Sequence, residues 1–340
     1  MRAVVGIDLG GTKVAAATLR DGTLMESVVH PTELSSSEAL LEQLVALVGE
    51  ASGGGRLNGV GIGVPSVVRF ATGRVVSSVN IPLADVPLRS VLGDALGVPV
   101  FVDNDATVAA LAEAYDEQLQ LVARNLVMLT IGTGVGGGIV LGGRIFRGST
   151  GGAGELGHTL VAALDAAGEL HAPAERFPQP GSLESVAAGH ALDHLAAAVA
   201  ASEPESALGR VAAGRADGRV TGVDAVLAAR AGDLSASAAV HRWACAIGIG
   251  IANVINTFDP EEVVIGGGAA AAGDLLLVPA REAALGYVIP GLRGNATIRL
   301  ARHGVRAGVL GAALLADHEL TAGASGEAGS ASAAGAEAVR

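Results

Sequence analysis

Apolar positions along this chain fall into short continuous runs closed by glycine, alternating with stretches of helical period. VVGIDLGG (4–11) is such a run and KVAAATL (13–19) resumes at once, which predicts a strand, a tight turn and a second strand. LVMLTIGTGVGGGIVLGGRIF (126–146) repeats the design. LNGVGIGVP (57–65) and VPVFVDND (98–105) read as buried strands, and EEVVIGGG (261–268) as a strand running into a glycine turn. Helical periodicity marks 35–52, 106–118, 184–201, 238–258 and a closing helix over 305–319. The two hairpins predict two halves built on one plan. The boundaries expected are an N-terminal domain over 1–118, closed by the terminal helix 305–320, and a larger domain over 119–304. Residues 147–182, rich in Gly, Pro and polar side chains, read as a long functional loop. The low-complexity stretch after Leu320 predicts a disordered tail over 321–340.

Composition narrows the picture. With 340 residues the chain can bury a large core, and with aromatics at only 2% that core must be Val, Ile, Leu and Ala, with close backbone approach at Gly. A net charge of −12 repels phosphodiester backbones and argues against nucleic acid as a partner. The single cysteine, Cys245, allows no internal disulfide and no Cys-rich zinc site. A strand starts almost at residue 1 without a charged leader, and apolar runs such as CAIGIGIANVI (245–255) are too short for a bilayer. A soluble, cytoplasmic protein with no membrane partner is the expectation.

Candidate chemistry sits at the glycine turns. Gly10 and Gly11 permit a turn whose N–H groups face phosphate oxygens, Thr12 adds a hydroxyl, and Asp8 can hold a hydrated Mg²⁺. The turn alone is equally well read as an ordinary glycine hairpin. GTGVGGG (132–138) runs into the strand IVLGG instead of opening a helix, so it does not fit a dinucleotide loop, and no P-loop sequence occurs. Two such hairpins favour an ATP cleft between two domains. Gly266-Gly267-Gly268 could pass under a base and ribose, although a plain strand-to-helix turn explains it as well. Asn104 and Asp105 stand where a buried strand passes into a helix. Both are favoured caps, yet a carboxylate there could also take a proton from a substrate hydroxyl. Glu155 and His158 could bind a polyol, and read alone they fit a metal pair or a surface pair equally well.

Taken together these stretches resemble the ROK family of repressors and sugar kinases, which includes bacterial glucokinases. GIDLGGTKVA, GIGVP, VFVDNDATVAALAE, LTIGTGVGGGIV, GGAGELGH, GSLESVAAG and VVIGGG appear in family order from Val4 to Gly268. The resemblance implies an α/β, actin-like, hexokinase-type fold of two ribonuclease-H-like domains with a cleft between them. It implies Asp105 as the catalytic base toward a sugar hydroxyl, typically at C6. Gly63, Asn80, Asn104, Glu155, His158 and Glu184 would line or bind the sugar. Asp8, Gly10, Gly11, Thr12 and Lys13 match the first phosphate motif, Thr133, Gly134 and Gly136 the second, and Gly267 and Gly268 the adenosine side. ATP and Mg²⁺ are the implied cofactors, Asp8 meeting the metal through water, and a homodimer is the family's common state.

The chain departs from that pattern in one segment. Where the family carries three zinc-binding cysteines, this sequence has Glu175, Phe177 and Ser182, so a thiolate zinc site with His158 cannot form and no structural zinc is expected. A substitute site from His158, His171 and Glu175 is the weaker alternative. Ser66 also stands where the family usually has glycine, and VNIPLADV (79–86) lacks a tryptophan common after Asn80. The leading expectation is an ATP-dependent hexose kinase, glucose first, with another hexose or an N-acetylhexosamine as variants. A sugar-sensing regulator without catalysis, or a relative that binds without turnover, are the alternatives.

Overall fold

The computed structural model describes residues 2–337 apart from Val79, Asp165 and Ala166, and from 324 onward the backbone alone. It divides into two compact units: Met1–Val122 with Arg144–Ala153 and Val305–Arg340, and Ala123–Gly143 with Gly154–Gly304. The sequence pattern assigns 144–153 to the second domain, whereas the structure groups it with the first. Arg147 bonds Asp103 and Glu319, and Gly151 packs on the Val68 carbonyl.

In the first unit, β1 (Ala3–Leu9) and β2 (Lys13–Arg20) form the expected antiparallel hairpin, and β3 (Thr23–Leu24) and β4 (Val28–Pro31) both pair with β2. On its other side β1 runs parallel to β5 (Gly59–Val64). A separate antiparallel ribbon follows, β6 (Ser66–Arg69) with β7 (Arg74–Ser78), and then β8 (Val100–Asn104) joins β5 in parallel. Helix α1 (Ser37–Ser52) starts where the Ser36 side chain accepts from the Ala39 N–H at 3.1 Å and ends at Gly53 in the left-handed region. Its Leu40, Leu44, Leu47 and Val48 lie on one face and enter the core with Ile7, Leu9 and Ile62. Two further helices are α2 (Leu88–Leu96) and α3 (Asp105–Glu113).

The C-terminal helix, Ala307–Glu337, packs against β1, β5 and α3. It comes so close that a Cβ at Gly61 would collide with the Ala312 carbonyl, and one at Gly6 with the backbone of Val309 and Ala313. The helical backbone reaches Glu337, across most of the stretch whose low complexity predicts disorder. Alanine and glutamate are strong helix formers even in repetitive sequence. Residues 338–340 of that expected tail lie outside the described residues.

The second unit repeats the plan. β9 (Leu126–Ile131) and β10 (Val135–Leu141) make the antiparallel hairpin; the two-residue β11 (Arg144–Ile145) already belongs to the first unit's segment. β9 runs parallel to β12 (Glu262–Gly266), and β12 to β13 (Thr297–Leu300). The order β10-β9-β12-β13 matches β2-β1-β5-β8 strand for strand in direction, so the duplication expected from the two hairpins extends to the whole sheet. The pattern over 184–201 predicts one helix, but two form, α4 (Leu183–Ala187) and α5 (Gly189–Ser202). The break lets the Gly189 N–H donate to the Gly132 carbonyl at 2.8 Å.

Helices α6 (Ala207–Gly214), α7 (Gly222–Arg230), α8 (Leu234–Phe258) and α9 (Asp274–Tyr287) complete the unit. α8 contains the apolar run read as too short for a bilayer. As a 25-residue helix it is long and apolar enough to cross one by length and composition, yet 61% of its most apolar window is buried in the protein. Trp243, Ile247, Ile251 and Ile255 of α8 form the middle of this core, and the Trp243 indole donates to the Ala187 carbonyl at 2.8 Å.

Two glycine substitutions test the close approach. Gly61→Val should cost about 3 kcal/mol or more of unfolding free energy through overpacking against the C-terminal helix. Gly49→Ala, in α1 where an added Cβ meets open space, should gain about 0.5–1 kcal/mol. Urea unfolding of the two variants measures both signs.

Candidate active site

In the first unit the sheet register aligns the acidic residues. Asp8 of β1 lies opposite Gly63 of β5, and Gly63 opposite Asp103 of β8, so all three stand at the carboxyl ends of adjacent parallel strands. Open α/β sheets bind ligands at that end. Asn104 ends β8 and caps α3, its Oδ1 accepting from Ala106 and Thr107 N–H at 3.0 and 3.2 Å. The capping role is therefore real. The Asn104 amide nitrogen points toward the Ser66 carbonyl at 3.5 Å and remains the group it can offer a ligand.

Asp105 is the first residue of α3, with Oδ1 accepting from the Ala106 N–H at 2.8 Å. Burial pushes its carboxyl up to about 6, partly opposed by that hydrogen bond, and the neighbouring Asp8 charge adds to the rise. Asp8 is also raised by burial, with the Lys13 charge working against it. A Cβ on Gly63 would meet Val108 Cγ2 at 2.7 Å and Asp105 Cα at 3.4 Å, so only glycine lets α3 come this close to β5.

The first glycine turn closes through the Gly10 N–H and the Lys13 carbonyl at 3.0 Å. Thr32 braces it from the side, its hydroxyl donating to the Gly10 carbonyl at 2.7 Å and its N–H to the Thr12 carbonyl at 3.0 Å. Thr12 and Lys13 are exposed. Asn80 sits against this turn, its Cβ 3.1 Å from where a Cβ on Gly11 would be. Ser66, at the position where glycine was expected, is buried, and its Oγ has no partner among the described residues.

In the second unit, the turn Gly132-Thr133-Gly134 closes by the Gly132 N–H to the Gly134 carbonyl at 2.9 Å, and His190 Nδ1 lies 3.1 Å from the Thr133 carbonyl oxygen. Gly136 lies in β10, opposite Thr130. Glu184, in the first turn of α4, is aimed at this glycine turn: the Val135 N–H donates to its Oε2 at 2.8 Å, and a Cβ on Gly134 would crowd that oxygen at 2.6 Å. Gly267 has a φ of 78° and lies against the Ile131 backbone, and Gly268 opens a short 3₁₀ turn.

Segments 159–162 and 181–183 run side by side through the Val161 and Ala162 N–H groups to the Gly181 carbonyl, and the Leu183 N–H to the Thr159 carbonyl. This brings His158 and Glu184 to neighbouring places. His158 Nε2 lies 3.7 Å from Glu155 Oε2, and its ring meets Phe177 edge-on with centroids 5.1 Å apart.

Thr133 and Gly268 also line a cavity of about 590 Å³ wholly within this unit. Val223, Val226 and Leu227 of α7 and Ala269 and Ala272 supply apolar walls, with Trp243 among the lining residues. Asp193 Oδ1 accepts the Gly222 N–H at 2.5 Å and Arg230 Nη2 donates to the Ala271 carbonyl at 2.5 Å, so these two charged groups fix the backbone around the cavity. Sequence reasoning missed this chamber. Its one linear signal is GHALDH, which sets His190 and Asp193 three residues apart on a helix.

The family model described as "ROK family" matches residues 4–319. The chain belongs to the ROK family. It is 35% identical to a glucokinase of Halalkalibacterium halodurans, covering 90% of this chain and 92% of that one. It is 32% identical to an N-acetylmannosamine kinase of Escherichia coli O157:H7, covering 93% and 98%. Among solved structures, a ROK family glucokinase from Streptomyces griseus in complex with glucose and AMPPNP superposes with a TM-score of 0.73 at 32% identity, covering 93% of this chain and 99% of that one.

This ROK chain does not fit the zinc site that the resemblance implies. Phe177 offers no donor, the Ser182 hydroxyl accepts from the Ser185 N–H as the α4 cap, and among the described residues no group of three or more His, Cys, Asp or Glu could hold a metal ion. The Gln179 side chain instead brackets Ala174 with two hydrogen bonds of 2.7 and 2.9 Å.

Two measurements follow from these geometries. Asn in place of Asp105 mimics the protonated acid. A raised carboxyl contributes its full stability below the unfolded value near 3.8 and loses it as pH rises through about 6. Asp105→Asn should thus stabilise the fold by about 3 kcal/mol at pH 8 and only about half that at pH 5, read from denaturant midpoints. For the metal, incubation with 1,10-phenanthroline and desalting should leave the thermal midpoint unchanged; stoichiometric zinc by elemental analysis would overturn the reading of the 175–184 segment.

Proposed function

We propose that this protein is an ATP-dependent sugar kinase that phosphorylates the 6-hydroxyl of a hexose, with glucose as the first candidate. The observation that carries the reading is Asp105: a half-buried carboxyl at the head of α3, raised to about 6, near the strand ends that bear Asp8 and Gly63. A base with that affinity is ionised at neutral pH yet takes a proton readily. As the sugar oxygen bonds to the γ-phosphorus, its proton passes to Asp105 and the anhydride bond to ADP breaks.

The remaining groups position the reactants. The amide of Asn104, together with Asn80, Glu155, His158 and Glu184, orients the sugar by hydrogen bonds to its hydroxyls. The turns at Gly10–Lys13 and Thr133–Gly136 hold phosphate oxygens by backbone N–H groups. The apolar cavity beside Thr133 and Gly268 has the size and lining for a nucleoside. Asp8 suits a hydrated Mg²⁺, because a carboxylate whose burial disfavours its charge gains from a cation. When bound, that ion supplies neutralisation of the phosphate charge. The similarity to kinases with different sugars leaves the acceptor to experiment.

ADP release should be measured against glucose, mannose, fructose, glucosamine, N-acetylglucosamine and N-acetylmannosamine. Turnover with glucose above the others supports the full proposal, turnover led by N-acetylmannosamine moves the acceptor, and sugar binding without any turnover sinks the kinase reading in favour of a sensor. Asp105→Asn should lower kcat by at least about 10²-fold while sugar affinity stays within a few-fold. For the wild type, kcat/KM should fall tenfold per unit as pH drops below about 6, because the protonated base cannot accept.

A further inference from the structure

Asp103 is 2% exposed, stands two residues before Asp105, and has no part in the chemistry proposed above. Burial raises its carboxyl, and the Arg147 guanidinium is the first influence that lowers it. Both of its oxygens are used. Oδ2 accepts from Arg147 Nε at 2.7 Å, and Oδ1 accepts from the Asn104 N–H at 3.0 Å. Arg147 is itself held on two more sides. Its Nη2 meets Glu319 Oε1 at 3.0 Å on the C-terminal helix, and its guanidinium carbon stands 3.4 Å from the centre of the Phe70 ring. Arg89 reaches the same ring at 5.0 Å.

Such a pair is a poor device for stability. Desolvating two charges consumes most of their attraction, and apolar residues of similar volume commonly do as well. Its value lies in geometry. A guanidinium forms directional bonds from a rigid plane, so Arg147 fixes the Asp103 carboxylate, which in turn fixes the Asn104 peptide. Asn104 then caps α3 and sets the first turn on which Asp105 stands. The backbone of Arg147 also accepts the Ala153 N–H at 3.1 Å, closing a loop whose Gly151 lies on the Val68 carbonyl. Glu155 and His158 follow that loop directly in the chain.

We propose that Arg147 is a positioning residue for phosphoryl transfer: through the buried carboxylate of Asp103 it holds the β8–α3 junction that carries Asn104 and Asp105, and anchors to it the 147–153 loop that leads into the acceptor-binding residues. The inference rests on the reading of Asp105 as the base.

The test is a double-mutant cycle on kcat in the full chain, with Arg147→Ala, Asp103→Asn and the pair together. Asp103→Asn keeps an acceptor for the Asn104 N–H but loses the charge that orients Arg147. Each single change should lower kcat by roughly 10- to 100-fold, as misplacement of a reacting group by about 1 Å does, while KM for ATP moves little. The double variant should be no slower than the slower single one, because both break the same link. Arg147→Lys should recover part of the loss, since one ammonium supplies charge without the plane that reaches Asp103 and Glu319 together.

AMPPNP binding stoichiometry gives the folded fraction by which each kcat is divided. If Arg147→Ala does not fold, Arg147→Lys and Asp103→Asn carry the cycle. A kcat per folded molecule within about two-fold of wild type for Arg147→Ala, or losses that multiply in the double variant, would overturn the proposal. Asp105→Asn run in parallel separates the two readings. If it retains turnover, the base assignment fails. If it abolishes turnover while Arg147→Ala does not, only the positioning role fails.

Discussion

The first unit is built around the cost of burying acids at the carboxyl ends of its parallel strands. Asp8, Asp103 and Asp105 are each pushed toward the neutral form by desolvation. Asp103 is answered most fully within the fold, receiving the Arg147 guanidinium and the Asn104 N–H, while Asp105 accepts the Ala106 N–H. Asp8 is helped by Lys13 only through space, and Asp105 is raised further by Asp8 itself. A carboxyl in that position is held near the pH at which it can exchange a proton, and its acidic neighbour gains from any cation that arrives. In the proposed reading, the stability lost to these acids is the same quantity that would prepare Asp105 to take a proton.

The scarcity of aromatic residues follows the same logic from the packing side. A chain with few large rings fills its volume by bringing backbones together, and glycine makes that approach available. The C-terminal helix crosses β1 and β5 on Gly6 and Gly61, and α3 is allowed its place beside β5 by Gly63. Close packing of helix on strand then sets where the backbone of Asp105 lies. Core composition and the placement of the candidate base are therefore linked through the backbone.

Much of this was legible in the sequence because backbone-forming patterns are local. The two glycine hairpins, the buried parallel strands and the VDND junction each announce themselves within a dozen residues, and the matched strand order of the two sheets follows from them. What was not legible depends on partners distant in the chain. Arg147 looks like one more loop cation until the fold sets it on Asp103, Glu319 and Phe70. The cavity beside Thr133 needs α7, α8 and the turn after β12 together. The single helix expected over 184–201 divides because Gly189 finds a carbonyl on a turn far upstream, which helical periodicity cannot register. At Asn104 the capping reading holds through the amide oxygen, while the amide nitrogen donates to the Ser66 carbonyl at 3.5 Å.

The loop that carries His158 and Glu184 has Glu175, Phe177 and Ser182 where the resemblance implies zinc-binding cysteines. A zinc ion fixes a histidine by a bond to one ring nitrogen; Phe177 instead presses on the ring itself, and Glu155 lies near its Nε2. Ring contacts are weaker and less directional than a metal bond, so the backbone has to do more. It does so through the paired 159–162 and 181–183 segments and through Gln179, which closes 174–179 on itself. Glu184 is held independently, by the Val135 N–H of the second glycine turn. That bond ties an acid expected to bind the acceptor to a turn expected to bind phosphate. Its position is set by that bond to the first residue of β10.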